Sequence, residues 1–343
     1  MEEWNKVDFQ FPSIPTMISK EEQQYLYWLG AKFWEGKGNI IEIGPWLGGS
    51  TYCLALGMSQ NPNKSIHKLH VYDNFIWREF MSKRAPLELQ PGDSFRDYFI
   101  ENIKPFEGYI SHYKQSLPDE IVANDNFADA GRQYEMGNSE ILTWESEKPV
   151  EILFIDGAKS WSGMKHLFNI FYKSIIPGKT LIVCQDYKYW GAYWVIIIIE
   201  ILFDHLEVFH NLSFNTVTFK VITPIDSQKI DSINDYKTLN VEQGIKYINR
   251  ASQRLLDIGD KNGFHILQLS KIRLLVHKDR MEDAILTFRK SEASWPLFSI
   301  DNNLETARKW LETESKKALP PLAYSYFRRK FYSGALKIKG LLK

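Results

Sequence analysis

The sequence predicts an open, doubly wound α/β sheet followed by an all-helical region, and three observations carry that prediction. Four short apolar runs, Ile40–Ile43, Leu69–Tyr72, Val150–Ile155 and Thr180–Cys184, alternate with helical patterns, as parallel strands joined by crossover helices do. The first run leaves through the glycine-rich turn Gly44-Pro45-Trp46-Leu47-Gly48-Gly49 into a helix, which is how such sheets build nucleotide pockets. Beyond Pro224 the strand pattern stops and only helical periodicity recurs. The expectation is a Rossmann-like doubly wound sheet of about seven strands with an N-terminal helix, over residues 1–224. An all-α appendage follows over residues 225–343.

Composition sets the outer bounds. A chain of 343 residues with 44% apolar content can bury a large core. Lys and Arg number 42, as do Asp and Glu, so the net charge is zero. No basic stripe crosses the predicted sheet domain, which argues against a nucleic-acid partner. Cys53 and Cys184 sit in apolar contexts without pairing or metal spacing and read as reduced core thiols in a cytoplasmic protein. The apolar run from Trp194 to Phe203 contains Glu200 and is too short to span a bilayer.

Taken in order, Ser19 with Glu22 three residues on is a capping-box pattern. Tyr25, Leu26, Trp28, Leu29 and Phe33 follow at helical spacing, so a helix is expected from about Ser19 to Glu35. The first strand is Ile40–Ile43 and its helix Ser50–Met58, with Asn61-Pro62-Asn63 as a turn. The second strand ends at Asp73. Residues 76–109 read as an excursion at the carboxyl edge of the sheet, and Tyr109–Tyr113 as a third strand. After Asp156 a helix over Met164–Tyr172 leads to the Pro177-Gly178 turn and the fifth strand. The segment Trp190–His205 is the next helix, with Trp190, Tyr193 and Trp194 as candidates to line a pocket or lid. Its continuous Ile196–Ile199 run implies burial on several sides and raises a homodimer contact. Leu206–Phe209 and Thr216–Ile222 are the last two strands, and the expected helices after them are Val241–Ile258, Phe264–His277, Met281–Ser291 and Leu304–Ser315.

The glycine turn can be compared with three nucleotide loops. A phosphate-gripping loop needs a lysine after its second glycine, and Ser50 stands there. A dinucleotide loop needs G-x-G, and Gly44-Pro45-Trp46 breaks it. Glu42, Gly44 and Gly48 fit E-x-G-x-x-x-G, with Gly49-Ser50-Thr51 as its ending. This pattern resembles motif I of the class I S-adenosylmethionine-dependent methyltransferases, whose ligand has no phosphate. The run Phe154-Ile155-Asp156-Gly157, then Ile176-Pro177-Gly178, then Gln185-Asp186-Tyr187 is similar to the matching segment of their small-molecule and sugar O-methyltransferase branch. The resemblance covers roughly residues 20–222.

The resemblance implies S-adenosyl-L-methionine as cofactor, held by Glu42, Gly44, Pro45, Gly48, Gly49 and Ser50, by Asp73 at the ribose, and by Asn74 and Phe75 after it. A carboxylate ending the second strand suits ribose hydroxyls on general grounds as well. The resemblance also implies an adenine contact at Ser116 and a cofactor or catalytic contact at Asp156. Asp156 with Lys159 three residues on is similar to the D-x-x-K of cation-dependent catechol and caffeoyl-CoA O-methyltransferases, whose lysine is a general base. In those families the next strand ends in Asp-Asn and binds a metal. Here the pair is Gln185-Asp186, so Asp156, Gln185 and Asp186 are the candidate ligands of a water-rich Mg²⁺.

Methyl transfer from a sulfonium is an in-line displacement that needs an aligned, deprotonated acceptor. A lysine whose pKa is lowered by burial or by a nearby cation can take that proton, and this is the role expected of Lys159. The alternative is a structural ion pair of Lys159 with Asp156 or Asp186. His166 lies seven residues after Lys159 on the same helix face and is a further catalytic candidate; His112 ends the third strand. For both histidines the alternative is a satisfied edge residue.

The expected activity is methylation of a hydroxyl on a small-molecule or sugar acceptor. The competing readings are an N-methyltransferase and a non-catalytic S-adenosylmethionine-binding protein that recruits partners through its helices. Asp279–Trp295 is similar to the second helix of a tetratricopeptide repeat, with a plain helical cap as the alternative. From Lys316 to Lys343 there are eight Lys or Arg and no acid, interspersed with Phe327, Phe331, Leu336, Leu341 and Leu342. That tail suits either peripheral contact with an anionic membrane or a solvated or oligomer-facing end.

Overall fold

In the computed structural model, which describes residues 3–63, 65–118, 140–145, 148–158, 160–234, 238–295 and 302–318, the first apolar run forms the centre of a mixed sheet. Strands β1 (Asn39–Ile43), β2 (Leu69–Asp73), β3 (Ile110–Ser116), β4 (Glu140–Ile141), β5 (Val150–Ile155), β6 (Leu181–Cys184), β7 (Leu206–Asn211) and β8 (Val217–Val221) lie in the order β4-β3-β2-β1-β5-β6-β8-β7. All pairings from β4 through β6 are parallel; β8 is antiparallel to β6 and to β7. The strand order reverses between β1 and β5, which makes that position the topological switch point where open α/β sheets bind ligands.

The expected fold class holds, with eight strands among the described residues rather than seven. The additional one, β4, is two residues long and exposed, so it has no apolar run by which to be read. It continues β3 in parallel through Gln115 and Ser116.

The helices of this unit are α1 (Lys20–Trp28), α2 (Gly49–Gln60), α3 (Arg96–Ile103), α4 (Trp161–Phe171), α5 (Tyr193–Leu202) and α6 (Ser227–Asp231). Helix α1 has the expected capping box: Ser19 Oγ accepts from the Glu22 amide at 3.2 Å, and the Ser19 amide donates to Glu22 Oε2 at 2.7 Å. It continues into one wider turn, Leu29–Phe33, ending before Glu35. Helices α1 and α2 cross closely because glycines face each other. A Cβ on Gly57 would lie 2.3 Å from the Tyr27 carbonyl, and one on Gly30 would lie 2.4 Å from the Leu54 carbonyl. The core beneath them joins Tyr25, Leu26 and Leu54 to Ile40, Val71, Phe154 and Val183 of the sheet. Strand periodicity therefore sends Ile40, Leu69, Val71, Ile152, Phe154, Leu181 and Val183 to one face.

A second unit comprises the helices α7 (Val241–Asp257), α8 (Lys261–His277), α9 (Met281–Ser294) and α10 (Asn303–Ala318), together with the five residues Tyr189–Tyr193 that follow β6. The first unit runs to Leu239, fifteen residues beyond the Pro224 expected from the strand pattern, because α6 stays with the sheet against α4. In the second unit Trp190 packs with Ile266, Leu269, Ile272, Phe288 and Leu311. The Arg273 guanidinium sits over the Trp190 and Trp310 rings at 5.8 and 5.3 Å. Trp190 thus belongs to a helical core, and Tyr193 Oη lies 3.0 Å from His277 Nδ1 of α8. The Ile196–Ile199 run is fully buried within the chain itself, so a dimer contact is not what covers it. The basic tail from 319 onward lies outside the described residues.

Candidate functional site

The parallel ladders extend one residue beyond each central strand. The Gly44 amide donates to the Tyr72 carbonyl at 3.0 Å, the Asp156 amide to Ile43 at 2.9 Å, and the Gln185 amide to Ile155 at 3.1 Å. Continued from the pairings Ile43 with Tyr72, Ile43 with Ile155 and Ile155 with Cys184, this register sets four residues side by side in the order Asp73, Gly44, Asp156, Gln185. At the usual interstrand spacing the row spans about 14 Å. Each of the four follows a core-facing residue by two positions, so the side chains of Asp73, Asp156 and Gln185 continue the face that α1 and α2 cover. Along otherwise buried strand ends, Gly44, Asp73, Asn74, Asp156, Gly157 and Asp186 are the half-exposed positions and mark the mouth of a crevice.

The turn after β1 is shaped for close approach. Gly44 has φ 86°, and a Cβ there would lie 2.8 Å from the Gly157 backbone across the switch point. Pro45 accepts the Gly48 amide at 2.9 Å, and Gly48, with φ 91°, caps α2 without a side-chain partner for the helix amides. Those first-turn amides face the crevice end of the sheet, the usual place for a polar ligand group. A Cβ on Gly49 would lie 2.9 Å from Thr16, so the segment before α1 reaches this helix start.

Glu42 supports the turn from below. Its carboxylate accepts from Ser50 Oγ at 2.5 Å and from Thr51 Oγ1 at 2.7 Å, and the side chain is fully buried. Burial pushes its pKa up to about 7; the Asp156 and Asp73 charges add to the rise, and the two hydroxyl bonds oppose it. Glu42 and Ser50, both expected at the cofactor, are thus bonded to each other and hold the loop in shape.

Asp73 ends β2 with Oδ1 accepting the Phe75 amide at 2.6 Å, and Asn74 Oδ1 accepts the Ile76 amide at 3.1 Å. Burial raises the Asp73 pKa to about 6, while the Phe75 amide and the Arg78 charge pull it down. Phe75 has φ 57° and its ring is fully buried against Phe95 and Phe99 at 5.6 and 5.2 Å. Expected at the cofactor, this ring forms an aromatic wall with Phe95 and Phe99 behind Asp73. Arg96 lies over it at 5.9 Å and approaches His112 Nδ1 at 3.3 Å; burial, and then the Arg96 charge, lower the His112 pKa.

Three polar atoms at strand ends are buried without a hydrogen-bond partner among the described residues: Trp46 Nε1 after β1, Ser116 Oγ at the end of β3 and Gln185 Oε1 after β6. Trp46 at φ 45° and Asp186 at φ 66° also hold a left-handed backbone that non-glycine residues adopt at a cost. Unpaired polar atoms and strained backbone gathered at one sheet edge point to a ligand site. Trp46 carried no signal in the sequence beyond its place in the glycine turn.

His166 sits on α4 with Nε2 2.8 Å from the Leu142 carbonyl, which engages the ring in holding the segment after β4. Trp194 Nε1 donates to the Ala158 carbonyl at 3.2 Å and so pins the turn after β5. Lys159, the next residue in the sequence, lies outside the described residues. For a metal, Asp156, Gln185 and Asp186 offer two carboxylates and a neutral amide. Among the described residues no three His, Cys, Asp or Glu side chains are grouped to hold an ion. Nothing among the described residues adds support for the expected Mg²⁺. Among the described residues no helix is long and apolar enough to cross a membrane.

No protein-family model and no curated protein sequence matches this chain. Among solved structures it is similar to an O-methyltransferase from Bacillus cereus in complex with SAH, at 16% identity and a TM-score of 0.37, over 62% of this chain and 84% of that one. It is also similar to the O-methyltransferase NovP, at 13% identity and a TM-score of 0.35 over 61% and 83% of the two chains. A third is the calicheamicin methyltransferase CalS11, at 11% and 0.35 over 58% and 76%.

Proposed function

We propose that this chain is an S-adenosylmethionine-dependent methyltransferase that acts on a hydroxyl of a small-molecule or sugar acceptor. The observation that carries this reading is the row Asp73, Gly44, Asp156, Gln185 across the switch point, with a glycine at the one place where a side chain would block the floor. A row of about 14 Å accommodates an extended nucleoside joined to an amino acid. Asp73 suits the ribose hydroxyls, the Gly44–Gly48 turn gives the cofactor a side-chain-free surface, and Ser116 Oγ is a polar group available on the adenine side.

When bound, the cofactor supplies an electrophilic methyl on sulfur. The chain's task is then to align an acceptor oxygen behind that methyl and to remove its proton. With the cofactor bound, its sulfonium would supply the methyl group, and Lys159 would take the proton that the acceptor hydroxyl gives up. The base role for Lys159 rests on its D-x-x-K spacing from Asp156.

Calorimetry with S-adenosylhomocysteine tests the cofactor half of the proposal, and transfer of labelled methyl groups to catechol and to a panel of methyl glycosides tests the other. Saturable binding together with a labelled product is the expected result. Binding without any transfer, in wild type and Lys159→Ala alike, would leave only the non-catalytic alternative. Absence of binding would end the reading.

A further inference from the structure

The segment before α1 is held at its two ends and has no secondary structure between them. Val7 and Ile18 are 7% and 6% exposed, whereas none of the ten residues 8–17 is buried. Consecutive glutamines of α1 tie the ends: Gln24 Nε2 donates to the Val7 carbonyl at 2.9 Å, and Gln23 Nε2 to the Ile18 carbonyl at 3.4 Å. Between them Phe9 stacks on Tyr27 at 4.9 Å and Ile14 packs at the edge of the core, both half-buried. Among the described residues no backbone–backbone hydrogen bond involves residues 8–17. Such a loop, with neighbouring anchored ends and few buried contacts, is Ω-shaped and belongs to the low-stability end of a fold. It comes down on the glycine turn. A Cβ on Gly49 would lie 2.9 Å from Thr16 Cβ and 3.7 Å from the Pro15 carbonyl oxygen, although Gly49 has no positive φ that would call for glycine. The missing side chain there serves close approach alone. The first turn of α2 has no side-chain cap, and Ser50 and Thr51 are 4% and 0% exposed, so its open amides reach solvent only past what lies over them.

We infer that residues 8–17 are a lid: hinged at Val7 and Ile18, the loop closes its Pro15-Thr16 shoulder over the start of α2 and lifts to admit the molecule that the glycine turn binds. That this molecule is S-adenosylmethionine rests on the methyltransferase reading. The hinges, the contact at Gly49 and the opening of the loop stand independently of it.

The experiment locks the lid. In the double variant Thr16→Cys, Gly49→Cys a disulfide needs the two Cβ atoms about 3.8 Å apart, so the loop gives by about 1 Å to form it. The native Cys53 and Cys184 are buried and stay out of the exchange. Reduced and oxidised forms of this one variant are compared, with thermal melting of both as the control for folding. In hydrogen exchange without ligand, the amides of residues 8–17 and of Gly49 to Thr51 are expected to exchange at least about tenfold more slowly when the lock is closed. In stopped flow, association of S-adenosylhomocysteine is expected to slow at least about tenfold on oxidation and to recover on reduction. Equal hydrogen exchange in the two forms, equal association, or a folded variant whose two thiols do not join would each overturn the inference. Calorimetry with S-adenosylhomocysteine on the wild type separates the two ideas. Its failure sinks the methyltransferase reading, whereas hydrogen exchange judges the lid whether or not that ligand binds.

Discussion

Both units of this protein bury polar groups, and they differ in what surrounds them. In the helical unit, Arg273 is 1% exposed and its charge lies over two tryptophan rings, with Tyr193 Oη 3.0 Å from His277 Nδ1 nearby in the same unit. Here the polar groups are enclosed by aromatic side chains and serve cohesion. At the carboxyl edge of the sheet, Glu42 and Asp73 are held well above the ordinary carboxylate range, and three non-glycine residues, Trp46, Phe75 and Asp186, are left-handed. The comparison separates burial that builds a core from burial that prepares a site, and substitutions in the two regions should read out differently.

The largest effect is expected in the core. Arg273→Ala removes the charge from between Trp190 and Trp310 and leaves a cavity, costing about 4 kcal/mol in urea denaturation followed by tryptophan fluorescence. A loss below about 1 kcal/mol would mean that the ring contacts contribute little. Next is Gly44→Ala. Its Cβ would lie 2.8 Å from the Gly157 backbone at φ 86°, so about 3 kcal/mol of strain and overpacking is expected, with S-adenosylhomocysteine binding lost in calorimetry. Unchanged binding would place the ligand elsewhere.

Asp73→Asn distinguishes site from core most cleanly. A half-exposed carboxylate whose desolvation raises it to about 6 gives the fold no reason to need its charge, so melting should stay level or rise. Ligand affinity should fall by about 2 kcal/mol, roughly 30-fold, for lost charged hydrogen bonds to the ribose. A drop in melting without a drop in affinity would return Asp73 to the structural class.

Glu42→Gln is the smallest. The folded pKa of about 7 lies above the ordinary 4.5, so this group's full stability is present below about pH 4.5 and is lost as pH rises through about 7. Wild-type melting should therefore fall between about pH 5 and about pH 8, and the variant should flatten that slope by about 1 kcal/mol. It gives up part of the gain because one amide oxygen replaces two carboxylate oxygens facing Ser50 and Thr51. Parallel slopes in the two proteins would show that Glu42 is not the titrating group.

Local patterns were legible wherever a residue's neighbours in sequence are its neighbours in space. Ser19 with Glu22 gave the start of α1, and the glycine turn gave the start of α2. Apolar runs of four to six residues gave the central strands. The edge strand Glu140–Ile141 was not legible, because two exposed residues carry no periodicity and only the partner strand defines them. Trp190 and Tyr193 followed a strand end and so suggested a pocket; their burial against α8 and α10 depends on residues far away in the chain. Phe75 matched a motif by type, yet its ring turned into the aromatic wall with Phe95 and Phe99.

From the sequence alone came the fold class, the glycine turn and the acids Glu42, Asp73 and Asp156, because strand alternation and turn chemistry act within a few residues. Only the tertiary structure decided that Asp73, Gly44, Asp156 and Gln185 stand in one row, since register is fixed by hydrogen bonds between strands about 30 to 110 residues apart. It also decided which polar atoms are left unpaired, for burial and partnership are properties of the whole packed unit and no single segment contains them.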